Sequence, residues 1–220
     1  MKKLLLLILS FTLYLNNIKG QDTVVLHHKY YTSTFIKSKH IPLLVEYTLT
    51  KEMLSCTKKL KRKNNFAYDP QLPDATNLDN DYKGSRYDRG HNMSAEDNSC
   101  NIDGMNECFY FSNMLPQIHS LNGGVWKKLE NQERAEAKHH GKIKVFIGSI
   151  GEIKKIGPDS VVVPAYCWKI IYIENENKYE CYIFPNTKPE SPDYESYKVP
   201  LTEIEHKTHI KFHKDKSIIQ

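Results

Sequence analysis

The chain has 220 residues, with 31 Lys and Arg, 26 Asp and Glu, and a formal net charge of +5. That length suits one sizeable core rather than several domains. Lys2, Lys3 and Lys19 fall in an N-terminal leader, and without them 28 basic residues face 26 acidic ones. A net charge of +2 gives no argument for a polyanionic partner, so any such contact must come from local clusters.

The leader comes first. Lys2 and Lys3 precede an apolar run over 4–15, and "NNIKG" supplies a polar end with the small Gly20. This is the pattern of a secretory signal peptide cleaved after Gly20. The run is too short for the roughly twenty residues that span a bilayer. The expectation is an exported protein, secreted or periplasmic, with 1–20 as signal peptide, 21–220 as one domain and no membrane anchor after cleavage.

"LLVEYTL" (43–49) alternates as a strand does. Residues 57–85 are polar and turn-rich, with Pro70 and Pro73, and read as a long surface loop. At its start Lys58, Lys59, Lys61, Arg62 and Lys63 cluster, as a solvated loop or as a phosphate contact. "CFYFSNM" (108–114) reads as a short aromatic strand. Over 122–138 Val125, Trp126, Leu129 and Ala135 form the apolar stripe of a helix, and Gly141 is a natural stop. "IKVFIGS" (143–149), "SVVVPAYCWKIIYI" (160–173) and "KYECYIFPN" (178–186) are β-rich, the last two joined at "ENEN". "LTEIEH" (201–206) reads as a short helix. Strands with few helices between them predict an α+β fold around a mainly antiparallel sheet.

Five cysteines in an exported chain suggest disulfides. Cys100 and Cys108 bracket a loop, and Cys167 and Cys181 lie symmetrically about "ENENK", which leaves Cys56 over. They are too scattered for a zinc knuckle.

Chemistry gathers in two stretches. In "YDRGH" (87–91), His91 can take a proton from water at neutral pH, and Arg89 offers a fork suited to phosphate oxygens. Gly90 permits tight backbone geometry, and Asp88 can orient a neighbouring group or the turn itself. In "SLNGGVWKKLE", Asn122 is either a helix cap or a hard oxygen ligand for Mg²⁺. Glu130 follows roughly 12 Å further along a helix axis, too far to grip the same ion easily. It suits an anchor for metal-bound water, or a surface acid paired with Arg134 one turn on.

Taken together, "YDRGH", "FYFSNMLPQ" and "LNGGVWKKLENQER" resemble the DNA/RNA non-specific endonuclease family, whose active sites are ββα-metal fingers. The resemblance runs from "VEYTLTKEML" at 45 to "EIEHKTHIKF" ending at 212, through "DPQLP", "DYKGS", "WKIIY" and "IFPN". It implies mixed α/β/α layers around the mainly antiparallel sheet, with His91 as general base. Asn122 would be the sole direct protein ligand of Mg²⁺, or of another divalent cation such as Mn²⁺, and Glu130 would anchor its water shell. Arg89 and Arg62 would face phosphate oxygens, and Asn113 would support the site by hydrogen bonding. Lys58, Lys59 and Lys61 are candidate contacts to the DNA or RNA substrate on their clustering alone. The implied reaction is phosphodiester hydrolysis with little sequence preference, leaving 5′-phosphate and 3′-hydroxyl ends.

Three positions depart from the family pattern. Arg86 and His209 stand where relatives commonly carry Gly, and Ser94 where they commonly carry Pro. Two rival readings remain: a nucleic-acid-binding protein of the same fold without catalysis, and an extracellular zinc protein using His206, His209 and His213. The zinc reading needs those three histidines on one helix face, whereas "EIEHKTHIKF" reads as helix, turn and strand.

Overall fold

A computed structural model describes residues 22–213 and 216–219. The leader lies outside the described residues. The strands are β1 (Thr23–His27), β2 (Thr32–Ile36), β3 (Ile41–Thr50), β4 (Tyr87–His91), β5 (Met114–Ile118), β6 (Lys142–Ile150), β7 (Lys154–Ile156), β8 (Val161–Val163), β9 (Tyr166–Ile173), β10 (Lys178–Pro185), β11 (Lys198–Val199), β12 (Ile210–His213) and β13 (Lys216–Ile219). The helices longer than one turn are α1 (Ile102–Glu107), α2 (Lys127–His140) and α3 (Leu201–Thr208). A seven-stranded sheet runs β1-β2-β3-β6-β9-β10-β11, and every neighbouring pair in it is antiparallel.

Alternation along the central strands builds two cores. Val45, Tyr47 and Leu49 of β3, Val145 and Ile147 of β6 and Ile171 of β9 face Leu129 and Ala137 of α2. Their neighbours Leu44, Phe146, Trp168 and Ile170 turn the other way, onto Ile204 of α3 and Phe212 of β12. A strand's period of two thus gives the sheet two apolar faces, each covered by a helix. The result is the expected α+β fold with α/β/α layering.

Four expectations need correction. The strand at 108–114 begins only at Met114; Phe111–Asn113 form a tight helical turn before it. The stretch 160–173 is two strands, because Pro164 has no N–H to give a ladder: β8 pairs with β7, while β9 joins the main sheet. The long loop over 57–85 carries two single helical turns, Pro73–Thr76 and Asp79–Tyr82. The helix starts at Lys127, not Asn122, because Leu121–Trp126 form a wider turn broken at Gly124 (φ −101°, ψ −113°). Gly141, at φ 85°, is the stop the sequence predicts.

The cysteines pair differently from both suggestions. Cys56 bonds to Cys100, with Cα atoms 5.7 Å apart. Cys167 faces the α2 side of the sheet and Cys181 the α3 side, so no bond can join them although their strands are adjacent. Cys108 is buried as a free thiol, its Sγ donating to the Met105 carbonyl.

Beside the sheet, β4 and β5 form a separate antiparallel pair, with Gly90 opposite Leu115 and His91 opposite Met114. The wide turn and α2 follow, completing a ββα finger. A Cβ on Gly90 would lie 2.1 Å from Gln117 Oε1, so any larger residue there must displace that buried side chain. Asn186 fastens the finger to the main sheet: its Oδ1 accepts from Ile118 N at 3.0 Å, and its Nδ2 donates to the Pro116 and Pro164 carbonyls.

Candidate active site

His91 ends β4 and is 6 % exposed. Its ring meets Phe109 edge-on at 4.9 Å and Phe66 at 5.7 Å. Burial, reinforced by the nearby Arg62 guanidinium, pushes its pKa down to about 3, against a hydrogen bond to the Arg89 backbone. The imidazole is therefore neutral at physiological pH. Its Nε2 is buried with no hydrogen-bond partner in the protein, which leaves a lone pair to receive a proton.

Asn122 sits in the wide turn. Its Nδ2 donates to Asp88 Oδ2 at 2.8 Å, so strand β4 fixes the plane of the amide and leaves Oδ1 as the acceptor. The role left open for Asp88 is thus geometric: it orients Asn122. His119 Nδ1 donates to the same carboxylate oxygen, also at 2.8 Å.

Glu130 is half-buried on the first turns of α2. Lost hydration pushes its carboxyl up; Lys169 opposes this, Glu133 adds to it, and Arg134 and Arg62 oppose it. It does not pair with Arg134, whose Nη1 instead donates to the buried Asp97 at 2.8 Å. Burial and the Glu133 carboxylate push Asp97 up to about 7 against that arginine. Behind Glu130 a second ion pair, Glu133 with Lys169 at 2.6 Å, is wholly buried, and Tyr47 donates to Glu133 as well. Such a pair is excellent only because every partner is present.

The two arginines differ in how they are held. Arg62 is exposed, its Nε donates to Asn64 Oδ1 at 3.0 Å, and its guanidinium lies 5.4 Å from the Phe109 ring centre. The same Phe109 ring meets His91, so Arg62 stands on the flank of the site, where its charge disfavours protonation of both His91 and Glu130. Arg89 stacks over Phe66 at 5.0 Å and Tyr82 at 5.5 Å, and its Nη2 donates to Asp79 Oδ1 at 2.7 Å. That acid already occupies part of the fork, which nothing in "YDRGH" foretells. Lys58, Lys59 and Lys61 are exposed, with Lys59 4.0 Å from Glu96. Asn113 is fully buried and contacts no phosphate-facing group; it staples the backbone of Met93 and Cys108 behind His91.

The departures from the family pattern have local explanations. Arg86 and His209 both adopt left-handed backbone, at φ 71° and 57°, where glycine would be unstrained. Ser94 caps the turn at Ala95–Asn98, accepting from Glu96 N at 3.3 Å. His209 ends α3 and His213 lies on β12, so the three zinc-candidate histidines share no helix face.

The donor set suits a hard divalent cation. An oriented amide oxygen and nearby carboxyls are the ligands Mg²⁺ and Mn²⁺ accept. Among the described residues no group of three or more His, Cys, Asp and Glu converges on one point, so an ion held here would keep mostly water.

A ββα finger carrying His91 at the end of its first strand and Asn122 before its helix defines a class of nucleic-acid hydrolase. Residues 10–217 match the sequence profile described as DNA/RNA non-specific endonuclease, and the chain belongs to that family. It is 29% identical over 198 residues to the mitochondrial Nuclease 1 of Schizosaccharomyces pombe, covering 80% of this chain and 61% of that one. It is 30% identical to human mitochondrial Endonuclease G over 60% of this chain and 49% of that one. With the Nuclease of Serratia marcescens it shares 29% over 74% of this chain and 65% of the other. A crystal structure of EndoG in complex with EndoGI superposes with a TM-score of 0.78 at 27% identity, over 86% of this chain and 84% of the other. The chain spans less than two thirds of each of these three curated relatives.

Proposed function

We propose that the chain is an exported, divalent-cation-dependent endonuclease that hydrolyses phosphodiester bonds of DNA and RNA with little sequence preference. The observation that carries this reading is the pairing of two features on one finger. His91 presents a buried, partnerless Nε2, and Asn122 presents an amide oxygen whose direction is set by Asp88. The curated relatives are named nucleases, and the basic leader pattern supports export.

His91 Nε2 takes a proton from the attacking water, and an arriving phosphate anion strengthens it as a base by favouring the imidazolium. Arg89 and Arg62 meet negative charge growing on the phosphoryl oxygens. Asn122 would hold Mg²⁺ or Mn²⁺, Asp88 keeps its amide turned to do so, and Glu130 would accept hydrogen bonds from water carried by that ion. When bound, the ion supplies Lewis-acid stabilisation of the phosphate and of the departing 3′ oxygen. Contacts confined to backbone phosphate read little sequence, and the ends produced are 5′-phosphate and 3′-hydroxyl.

The test is digestion of plasmid DNA and of RNA by the purified protein with Mg²⁺, then with excess chelator. Cleavage of both, silenced by chelation while the protein stays folded, is the expected result. Binding without cleavage at any divalent concentration would favour the non-catalytic rival, and full cleavage under chelation would remove the metal.

A further inference from the structure

His119 lies between β5 and the wide turn, with a side chain 84% exposed. Its freedom is nevertheless small, because Nδ1 is fixed on Asp88 Oδ2 at 2.8 Å. The same oxygen accepts from Asn122 at 2.8 Å, so the imidazole and the proposed ion ligand are no further apart than two such bonds. Gly123 borders the ring: a Cβ there would sit 3.7 Å from His119 Cε1 and 3.8 Å from Nε2. Glycine at 123 therefore leaves the imidazole uncovered where a larger side chain would rest against it.

We propose that His119 is a nucleobase-binding residue, its ring stacking on an unpaired base that flanks the phosphate to be cut. The inference rests on the nuclease reading and deepens it. Nucleic acid with its phosphate at Asn122 must pass this ring, because the two side chains hang from one carboxylate oxygen. A ring already restrained by Asp88 loses little further freedom on stacking. Stacking also tolerates every base, since each has a π-face, so it adds affinity without sequence preference. A base inside a duplex has both faces covered, so the residue favours single-stranded or locally opened substrate.

The test compares wild type with His119→Gln, which keeps an amide to donate to Asp88 and lacks the ring. Two single-stranded oligonucleotides are used, each with one cleavable phosphodiester. One is unmodified, and the other carries abasic sugars on both sides of that bond. His119→Gln should raise KM on the order of tenfold on the unmodified strand and leave it unchanged on the abasic strand and on a duplex. Its kcat and its Mn²⁺ affinity, titrated without substrate, should match wild type. An equal KM penalty on both strands would make His119 a phosphate contact and overturn the proposal. Weakened Mn²⁺ binding together with a lower kcat would overturn it in favour of positioning through Asp88. A variant identical to wild type on substrates that wild type cuts would remove this inference and leave the nuclease reading standing. A wild type that cuts the duplex but neither single strand would remove this inference alone, and one that cuts no substrate would remove both.

Discussion

One oxygen of Asp88 accepts the Asn122 amide at 2.8 Å, joining the finger's first strand to the turn 34 residues later. An amide rotates freely about its last bond unless something distinguishes its oxygen from its nitrogen. Asp88 makes that distinction, since a carboxylate accepts from nitrogen only. Asp88→Ala should therefore weaken divalent-cation binding by about 10–100-fold, the usual effect of losing a ligand's orienting partner. Titration with Mn²⁺ measures it directly. Affinity equal to wild type would show that Asn122 holds its orientation without help.

Asp79 and Arg89 form the second informative pair. Asp79 is partly exposed and places a negative charge at 2.7 Å from the guanidinium proposed to meet phosphate. Asp79→Asn removes the competing charge and keeps a side-chain oxygen for Arg89. KM for DNA should fall by about two- to fivefold, in line with the small energies of exposed ion pairs, with kcat held. A rise in KM would mean instead that Asp79 is needed to aim Arg89.

The Cys56–Cys100 bond stands at the base of the basic segment, and Leu60 N donates to the Ser99 carbonyl at 2.7 Å just beyond it. The bond closes a sequence separation of 44 residues. Chain entropy for a loop of that length corresponds to about 4 kcal/mol of stability. Replacing both cysteines with serine should lower the denaturation midpoint and also raise KM, because Arg62 and its lysines lose their tether. A variant with lower stability and unchanged KM would separate the disulfide from substrate binding.

How far the sequence foretells this arrangement depends on the range of the interactions. The sheet's central strands and the helix ending at Gly141 are legible because period-two and helical patterns are local. The finger is legible only through the family that its two motifs, in that order, resemble. The wide turn escapes detection because Gly123 and Gly124 leave Val125 and Trp126 on the apolar stripe of the helix that follows. Residue spacing misleads for the cysteines, since Cys167 and Cys181 sit in paired strands yet point to opposite faces. Asp79, His119, Phe66 and Asp97 acquire their roles only from neighbours far along the chain, and no local pattern announces that.

His91 joins catalysis and stability in one group. Exchange for Ala removes the proposed base and leaves Asn122, Asp88 and both arginines in place. General-base catalysis contributes a factor of about 10²–10⁴, so kcat should fall by that order with KM nearly unchanged. The folded state holds this imidazole neutral down to about pH 3, whereas the unfolded chain protonates it below about pH 6.5. Between those limits the unfolded state binds the extra proton, so the group lowers stability as pH falls, by up to about tenfold in the folding constant per pH unit. Asp97, held up to about 7, acts in the opposite direction over much of this window. It is present in both proteins and cancels in a comparison. His91→Gln carries no titrating ring, so its stability relative to wild type should rise as pH is lowered from 7 to 5. Denaturant midpoints for both proteins at the two pH values measure this. A difference that does not change with pH would show that His91 is open to protonation in the folded enzyme. In that case its kcat profile should lose activity below about pH 6.5 rather than persist into acid.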